Sequence, residues 1–109
     1  MSRYKFGEIV LLQFPFTTGA GYKKRPALIL FDSGDTDVIV ARVTSQMKTD
    51  SYDVEIRDWR AAGLRTASIV RLHKIATLEK TLIDQKIGDL QAADAAEIKK
   101  QIAEILKKI

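Results

Sequence analysis

Cysteine is missing from this 109-residue chain, and that absence removes two kinds of architecture at once. Neither a disulfide framework nor a cysteine-based zinc site is available, and a reducing compartment suits such a chain. Long apolar runs are missing too. The opening Met1 to Glu8 carries charge, but Ile9-Val10-Leu11-Leu12 after it is too short for a signal peptide or a membrane span. The expectation is a cytoplasmic protein with no membrane part. Repeats, low-complexity tracts and linkers do not occur, and the length suffices for one core without covalent staples. Residues 1–109 therefore read as a single domain.

What is present is an ordinary globular mixture, 46% hydrophobic and 29% charged, with a net charge of +4 that is unevenly spread. Residues 1–31 hold five Lys/Arg against one acid, 32–58 three against seven, and 59–91 six against three. If the two basic stretches meet in space they make a positive patch on a nearly neutral body, which favours a polyanion as partner.

Short strands dominate the pattern. Glu8 to Phe14 is apolar enough for a first strand, stopped by Pro15, and Pro26 to Phe31 reads as a buried second strand. A turn at Asp32-Ser33-Gly34-Asp35 leads to a third strand, Val38 to Thr44. Tyr52 to Ile56 alternates and predicts a strand with one wet face. One helical turn is expected at Asp58 to Ala62, closed by Gly63, with Trp59 in a packing role. Ser68–Leu72 and Ile75–Leu78 suggest two further short strands, and Lys86–Leu90 another. The period then changes. Ile98, Ile102, Ile105, Leu106 and Ile109 make one apolar stripe on a terminal helix. Gln91 is a poor cap for it, whereas Asp94 with Glu97 three residues on offers a capping-box start. The sum is an α+β chain, mainly β: a small barrel-like sheet with a helix packed on it.

The richest stretch is Lys23-Lys24-Arg25-Pro26-Ala27-Leu28-Ile29-Leu30, which follows the loop Phe16 to Lys24 with its Gly19-Ala20-Gly21. Three cations run into a proline and then into core, so an arginine is held where a loop meets a strand, well placed to grip phosphate. The plainer alternative for Arg25 is a surface ion pair.

These segments carry a resemblance. Gly7-Glu8-Ile9-Val10-Leu11, Arg25-Pro26-Ala27-Leu28-Ile29, Val43-Thr44-Ser45-Gln46 and Ser68-Ile69-Val70-Arg71-Leu72-His73-Lys74-Ile75-Ala76-Thr77-Leu78 occur in the order and spacing of the MazF/PemK toxins. The chain resembles that family of sequence-selective endoribonucleases from toxin–antitoxin pairs over residues 7–90. The resemblance implies an SH3-like (CcdB/MazF-type), strongly twisted β-barrel with a C-terminal helix, assembled as a homodimer. It implies cleavage of single-stranded RNA, including mRNA, without metal or other cofactor. In that reaction the 2′-hydroxyl attacks the phosphate, leaving a cyclic phosphate and a free 5′-hydroxyl. It also implies an acidic cognate antitoxin as protein partner.

Residue by residue, the resemblance makes Arg25 the catalytic arginine and Thr44 the active-site threonine. A guanidinium is a poor base but a good clamp for phosphorane charge. The bland reading of Thr44 is a strand end bonding its own backbone. His73 falls where some relatives carry an acid, and an imidazole there suits proton transfer, with base stacking and plain surface as alternatives. Arg71 would hold phosphate, or else pair with a nearby acid. Thr17, Tyr22, Lys23, Lys24, Ser45 and Gln46 complete the expected RNA contacts, Tyr22 and Phe16 as stacking platforms. The loop Thr17–Lys24 departs from the longer Glu-Gln-x-Gly loop of many relatives, so its RNA preference does not carry over. Two other functions share the pattern: a toxin of the same fold that binds a protein, as gyrase poisons do, and a noncatalytic nucleic-acid-binding barrel.

Overall fold

Ile9, Val10 and Leu12 are all fully buried, so this first strand has core on both sides and its apolar run needs no alternation. The computed structural model describes residues 3–15, 22–47 and 50–109. Its elements are β1 (Glu8–Pro15), β2 (Tyr22–Phe31), β3 (Asp37–Thr44), β4 (Asp53–Ile56), β5 (Ser68–Glu79), a 3-10 turn (Lys80–Leu82), β6 (Ile83–Asp89) and α1 (Ala92–Lys107). The strands form one antiparallel sheet in the order β4-β5-β3-β2-β1-β6. One face holds Ile9, Leu28, Val43, Val70 and Leu72 against Ile98 of α1. The other holds Val10, Leu12, Ala27, Ile29, Val38 and Val40.

The mainly-β fold with a terminal helix is as the sequence implies. The sheet is twisted and not closed into the expected barrel: among the described residues no ladder joins the outer strands β4 and β6. The turn after β4 docks on β6 instead. Ala62 donates its amide to Asp58 as a helical turn requires, and Gly63 ends the turn at φ +89°. A Cβ at Gly63 would stand 2.0 Å from the Ile87 carbonyl oxygen, and one at Gly88 2.0 Å from that of Ala62. Only paired glycines permit this backbone-on-backbone contact. Trp59 packs against the core beside it, as expected. Lys86 bridges Glu8 (3.0 Å) and Asp89 (3.1 Å), tying β6 to β1, and Glu8 first and then Asp89 raise its pKa.

Four element boundaries differ from expectation. β2 takes in Tyr22 to Arg25, because those residues pair with Leu12 to Pro15 of β1. β5 is one strand, not two: Leu72, His73 and Lys74 bulge between the pairs Ala41↔Ile75 and Arg42↔Arg71. β6 begins at Ile83 and ends at Asp89, so it starts three residues before the expected Lys86. Helix α1 starts at Ala92, one turn before the expected capping box. Asp94 is buried, and its carboxylate accepts the amides of Arg57 (3.0 Å) and Asp58 (2.9 Å), thirty-six or more residues away. The apolar stripe of α1 is half used: Ile98 is buried and Ile102 and Ile105 partly so, while Leu106 and Ile109 are exposed.

Candidate nucleic-acid cleft

Pro26 has no amide hydrogen, and the β2–β3 ladder stops beside it: the last pair toward this end is Ala27↔Arg42. Beyond that pair β2 is held by β1 alone and β3 by β5 alone. The two strands splay, and continuing the register would set Arg25 opposite Thr44. A cleft of about 530 Å³ opens at the splay. Lys24, Arg25, Thr44, Ser45 and Gln46 line it from the strand ends, Arg65 and Thr66 from the segment before β5, and Gln85 from β6.

The charge of this cleft is one-sided. Lys24, Arg25, Arg42 and Arg65 all line it, and no carboxylate does among the described residues. Lys24 is joined to Asp84 at 3.2 Å, whereas Arg25, Arg42 and Arg65 have no acidic partner among the described residues. Three guanidiniums gathered without a counter-charge repel one another, and a bound polyanion relieves that repulsion. The Thr44 hydroxyl oxygen accepts the amide of Gln46 at 3.2 Å. That is the local bond expected at a strand end, and it leaves the hydroxyl hydrogen available to a ligand. The buried Ser68 hydroxyl donates to the Thr66 carbonyl at 2.9 Å, so it shapes the wall and offers no hydrogen outward.

Other expected site residues fall elsewhere. Lys23 is exposed on β2 outside the cleft lining. Arg71 does not line the cleft: its guanidinium lies 3.3 Å from Asp53 and 3.6 Å from Asp50, the ion-pair arrangement. The Asp53 side chain is fully buried, and its Oδ1 has no hydrogen-bond partner. His73 sits exposed on the β5 bulge with its ring 6.2 Å from that of Tyr52, away from the cleft. Thr17 and Phe16 lie outside the described residues, as does the side chain of Tyr22. No group of three or more His, Cys, Asp or Glu able to hold a metal occurs among the described residues. No helix among them is long and apolar enough to cross a membrane.

The model of the PemK-like, MazF-like toxins of type II toxin–antitoxin systems matches residues 5–106. The chain belongs to this family. Solved MazF structures share its fold. The Mycobacterium tuberculosis toxin MazF-mt6 superposes with a TM-score of 0.75 at 23% identity, covering 92% of this chain and 96% of that one. An endoribonuclease in complex with its cognate antitoxin, from a mycobacterial species, gives 0.76 at 21% identity over 96% of each chain. MazF from Deinococcus radiodurans gives 0.73 at 20% identity, covering 98% of this chain and 99% of that one. A comparison with curated protein sequences finds no match.

For this MazF-like toxin the motifs located Arg25 and Thr44 but missed Arg42, Arg65, Thr66 and Gln85. Arg42 had a signal of its own. It is the lone cation in Asp37-Val38-Ile39-Val40-Ala41-Arg42-Val43-Thr44, a strand whose neighbouring positions are buried. Arg65 and Gln85 had none, because they reach the cleft only when the turn after β4 docks on β6.

Proposed function

We propose that this toxin is an endoribonuclease acting in the cytoplasm, and that the splay between Arg25 and Thr44 is where single-stranded RNA is cut. The observation that carries the reading is the cleft lined by four cations and no acid at the family's arginine and threonine positions. The 2′-oxygen bonds to phosphorus while the P–O5′ bond breaks. The 2′ proton leaves to solvent, and the 5′ oxygen gains one. Arg25 faces the charge that builds on the nonbridging oxygens with its bidentate fork, and the Thr44 hydroxyl adds a donor. Arg42, Arg65 and Lys24 neutralise neighbouring phosphates, while Ser45, Gln46 and Gln85 supply polar contacts to sugar and base. Tyr22 and Lys23 at the start of β2, and Thr17 before it in sequence, are further contacts that the resemblance implies. Arg71 serves indirectly, by holding Asp53. No carboxylate or imidazole lines the cleft among the described residues, so their contribution is charge stabilisation more than proton transfer.

The acidic antitoxin competes for the same cations, and its affinity falls with salt. A homodimer accounts for the exposed apolar side chains of Phe31 and Ile75, which lie with Ile39 and Thr77 on one side of the β2-β3-β5 register. The test is incubation of the purified protein with long mixed-sequence RNA in EDTA, followed by end mapping. Discrete cuts bearing 2′,3′-cyclic phosphate and 5′-hydroxyl ends are expected. Intact RNA in EDTA with cleavage restored by a divalent ion would overturn the mechanism.

A further inference from the structure

The two walls of the cleft have different origins. Arg25 and Thr44 stand at the ends of β2 and β3, whereas Gly63, Leu64, Arg65 and Thr66 come from the segment between β4 and β5. Residues 57–67 belong to no ladder, so the place of that wall is set by what holds the turn. Two ties hold it. At its start the buried Asp94 carboxylate of α1 accepts the amides of Arg57 and Asp58. At its end it meets β6, where a Cβ at Gly88 would stand 2.0 Å from the Ala62 carbonyl oxygen and 3.0 Å from the Gly63 nitrogen. Arg65 and Thr66 are exposed and follow directly after this anchor, and Gln85 faces the same cleft three residues before Gly88. We propose that Gly63 and Gly88 are positioning residues for RNA binding, whose contact fixes Arg65 as a grip on a phosphate other than the one that is cut. The proposal rests on the endoribonuclease reading and divides its site into a part that cuts and a part that holds.

Four observations favour this reading over a merely structural one. Gly88, unlike Gly63, does not take a positive φ, so only the approach of the Ala62 backbone excludes a side chain there. The turn has other means of staying folded: Ala62 and Leu64 are buried, and Ala62, Gly63 and Leu64 each donate an amide to a carbonyl three to five residues back. What the glycine pair adds is closeness to β6. The segment so placed carries a guanidinium with no acidic partner among the described residues, and a cation already fixed gives up less freedom on meeting a phosphate. Finally, Leu11 of β1 pairs with both Pro26 and Gln85. The far wall therefore stands two strand spacings from β2, about 10 Å along the sheet, which is more than one phosphate group spans.

The test compares wild type, Arg65→Ala, Gly88→Ala and the double variant. Cleavage of a short RNA carrying one mapped cut gives kcat and KM, and anisotropy of its 2′-fluoro form, which lacks the attacking hydroxyl, gives binding across a salt series. Arg65→Ala should raise KM about tenfold, the order of one charged hydrogen bond. Its salt slope should fall by about 0.7, the share of one phosphate on a single strand. Gly88→Ala should reproduce both changes with kcat within about twofold, because neither Arg25 nor Thr44 stands on the turn. In the double variant the losses should not multiply: about tenfold is expected in place of a hundredfold. The proposal is overturned if the losses multiply, or if Gly88→Ala lowers kcat at unchanged KM. It is equally overturned if Gly88→Ala lowers only the folded fraction, with normal KM and salt slope in the protein that remains. Should Gly88→Ala not fold, Asp94→Asn decides, since it keeps the shape and one acceptor oxygen while loosening the other end of the turn. Its KM should rise in wild type and not in Arg65→Ala, and any other result overturns the proposal. Intact RNA with wild type, by contrast, sinks the nuclease reading, and the salt slopes of binding still judge the glycine pair.

Discussion

The two ends of β2 treat charge in opposite ways. At one end Arg25 shares a cleft with Arg42 and Arg65, and none of the three has an acidic partner among the described residues. Just past the other end Asp32 is buried, accepts the amides of Tyr4 (2.7 Å) and Gly34 (2.8 Å), and lies 2.9 Å from Lys80. One end is electrostatically unfinished and the other is closed. The Arg71–Asp53 pair belongs with the closed kind, although the resemblance would class Arg71 with the open one. Partnered charges hold this fold, and the three arginines of the cleft are those that we propose RNA meets.

That contrast is sharpest at Arg25. Arg25→Ala should lower cleavage by roughly 10³-fold while stability stays within about 0.5 kcal/mol, as measured by RNA cleavage and urea melts of the same sample. Arg25→Lys should stay badly impaired, since an ammonium lacks the fork. Arg71→Ala should do the reverse. It removes the cation beside the buried Asp53 carboxylate, which keeps the Asp50 amide, and should cost about 3 kcal/mol of stability, with cleavage by the remaining folded protein little changed. Adding Asp53→Asn to it should recover part of that loss. A fully stable Arg71→Ala protein with dead activity would move Arg71 to the open class. Thr44→Ala should cost on the order of 10² in rate, the contribution of one transition-state donor.

Acid separates the two ends more gently. The Tyr4 amide chiefly, with Lys80, lowers Asp32 from 3.8 to about 2. Its depressed folded value means the unfolded chain takes up the proton first as pH falls. Its stabilisation is therefore complete above the ordinary carboxylate value and is lost on going down toward about 2. Asp32→Asn should flatten the melting profile in that interval, and an unchanged profile would remove Asp32 from the account. Lys86, whose pKa is raised, acts in the alkaline range, stabilising at lower pH and losing its effect as pH climbs past its folded value. The smallest effect belongs to His73. His73→Ala should keep cleavage within about twofold and a pH profile of the same shape, because the ring lies outside the cleft. Loss of a limb near neutrality would mean that the working site is completed by a second chain.

Most strand centres were legible because their apolar runs have no other comfortable place. The boundaries that were not legible depend on partners far along the chain. Nothing in Tyr22 to Arg25 announces pairing with Leu12 to Pro15, and Asp94 reads as a helix cap until Arg57 and Asp58 are brought to it. The break at His73-Lys74 was visible, but as an end of strand and not as a bulge within one. In the cleft, Arg25 and Thr44 could be found because their motifs are contiguous. Arg65 and Gln85 could not, since their meeting depends on how the sheet curls.

The glycine contact has a consequence for when the cleft comes into being. Its walls run from Leu11 on β1 to Ile87 on β6, so the site is among the last things a growing chain acquires. A chain stopped before residue 87 carries every arginine of the cleft and still lacks the wall that faces them. Half-made or prematurely ended copies would thus carry the arginines of the cleft without the cleft itself.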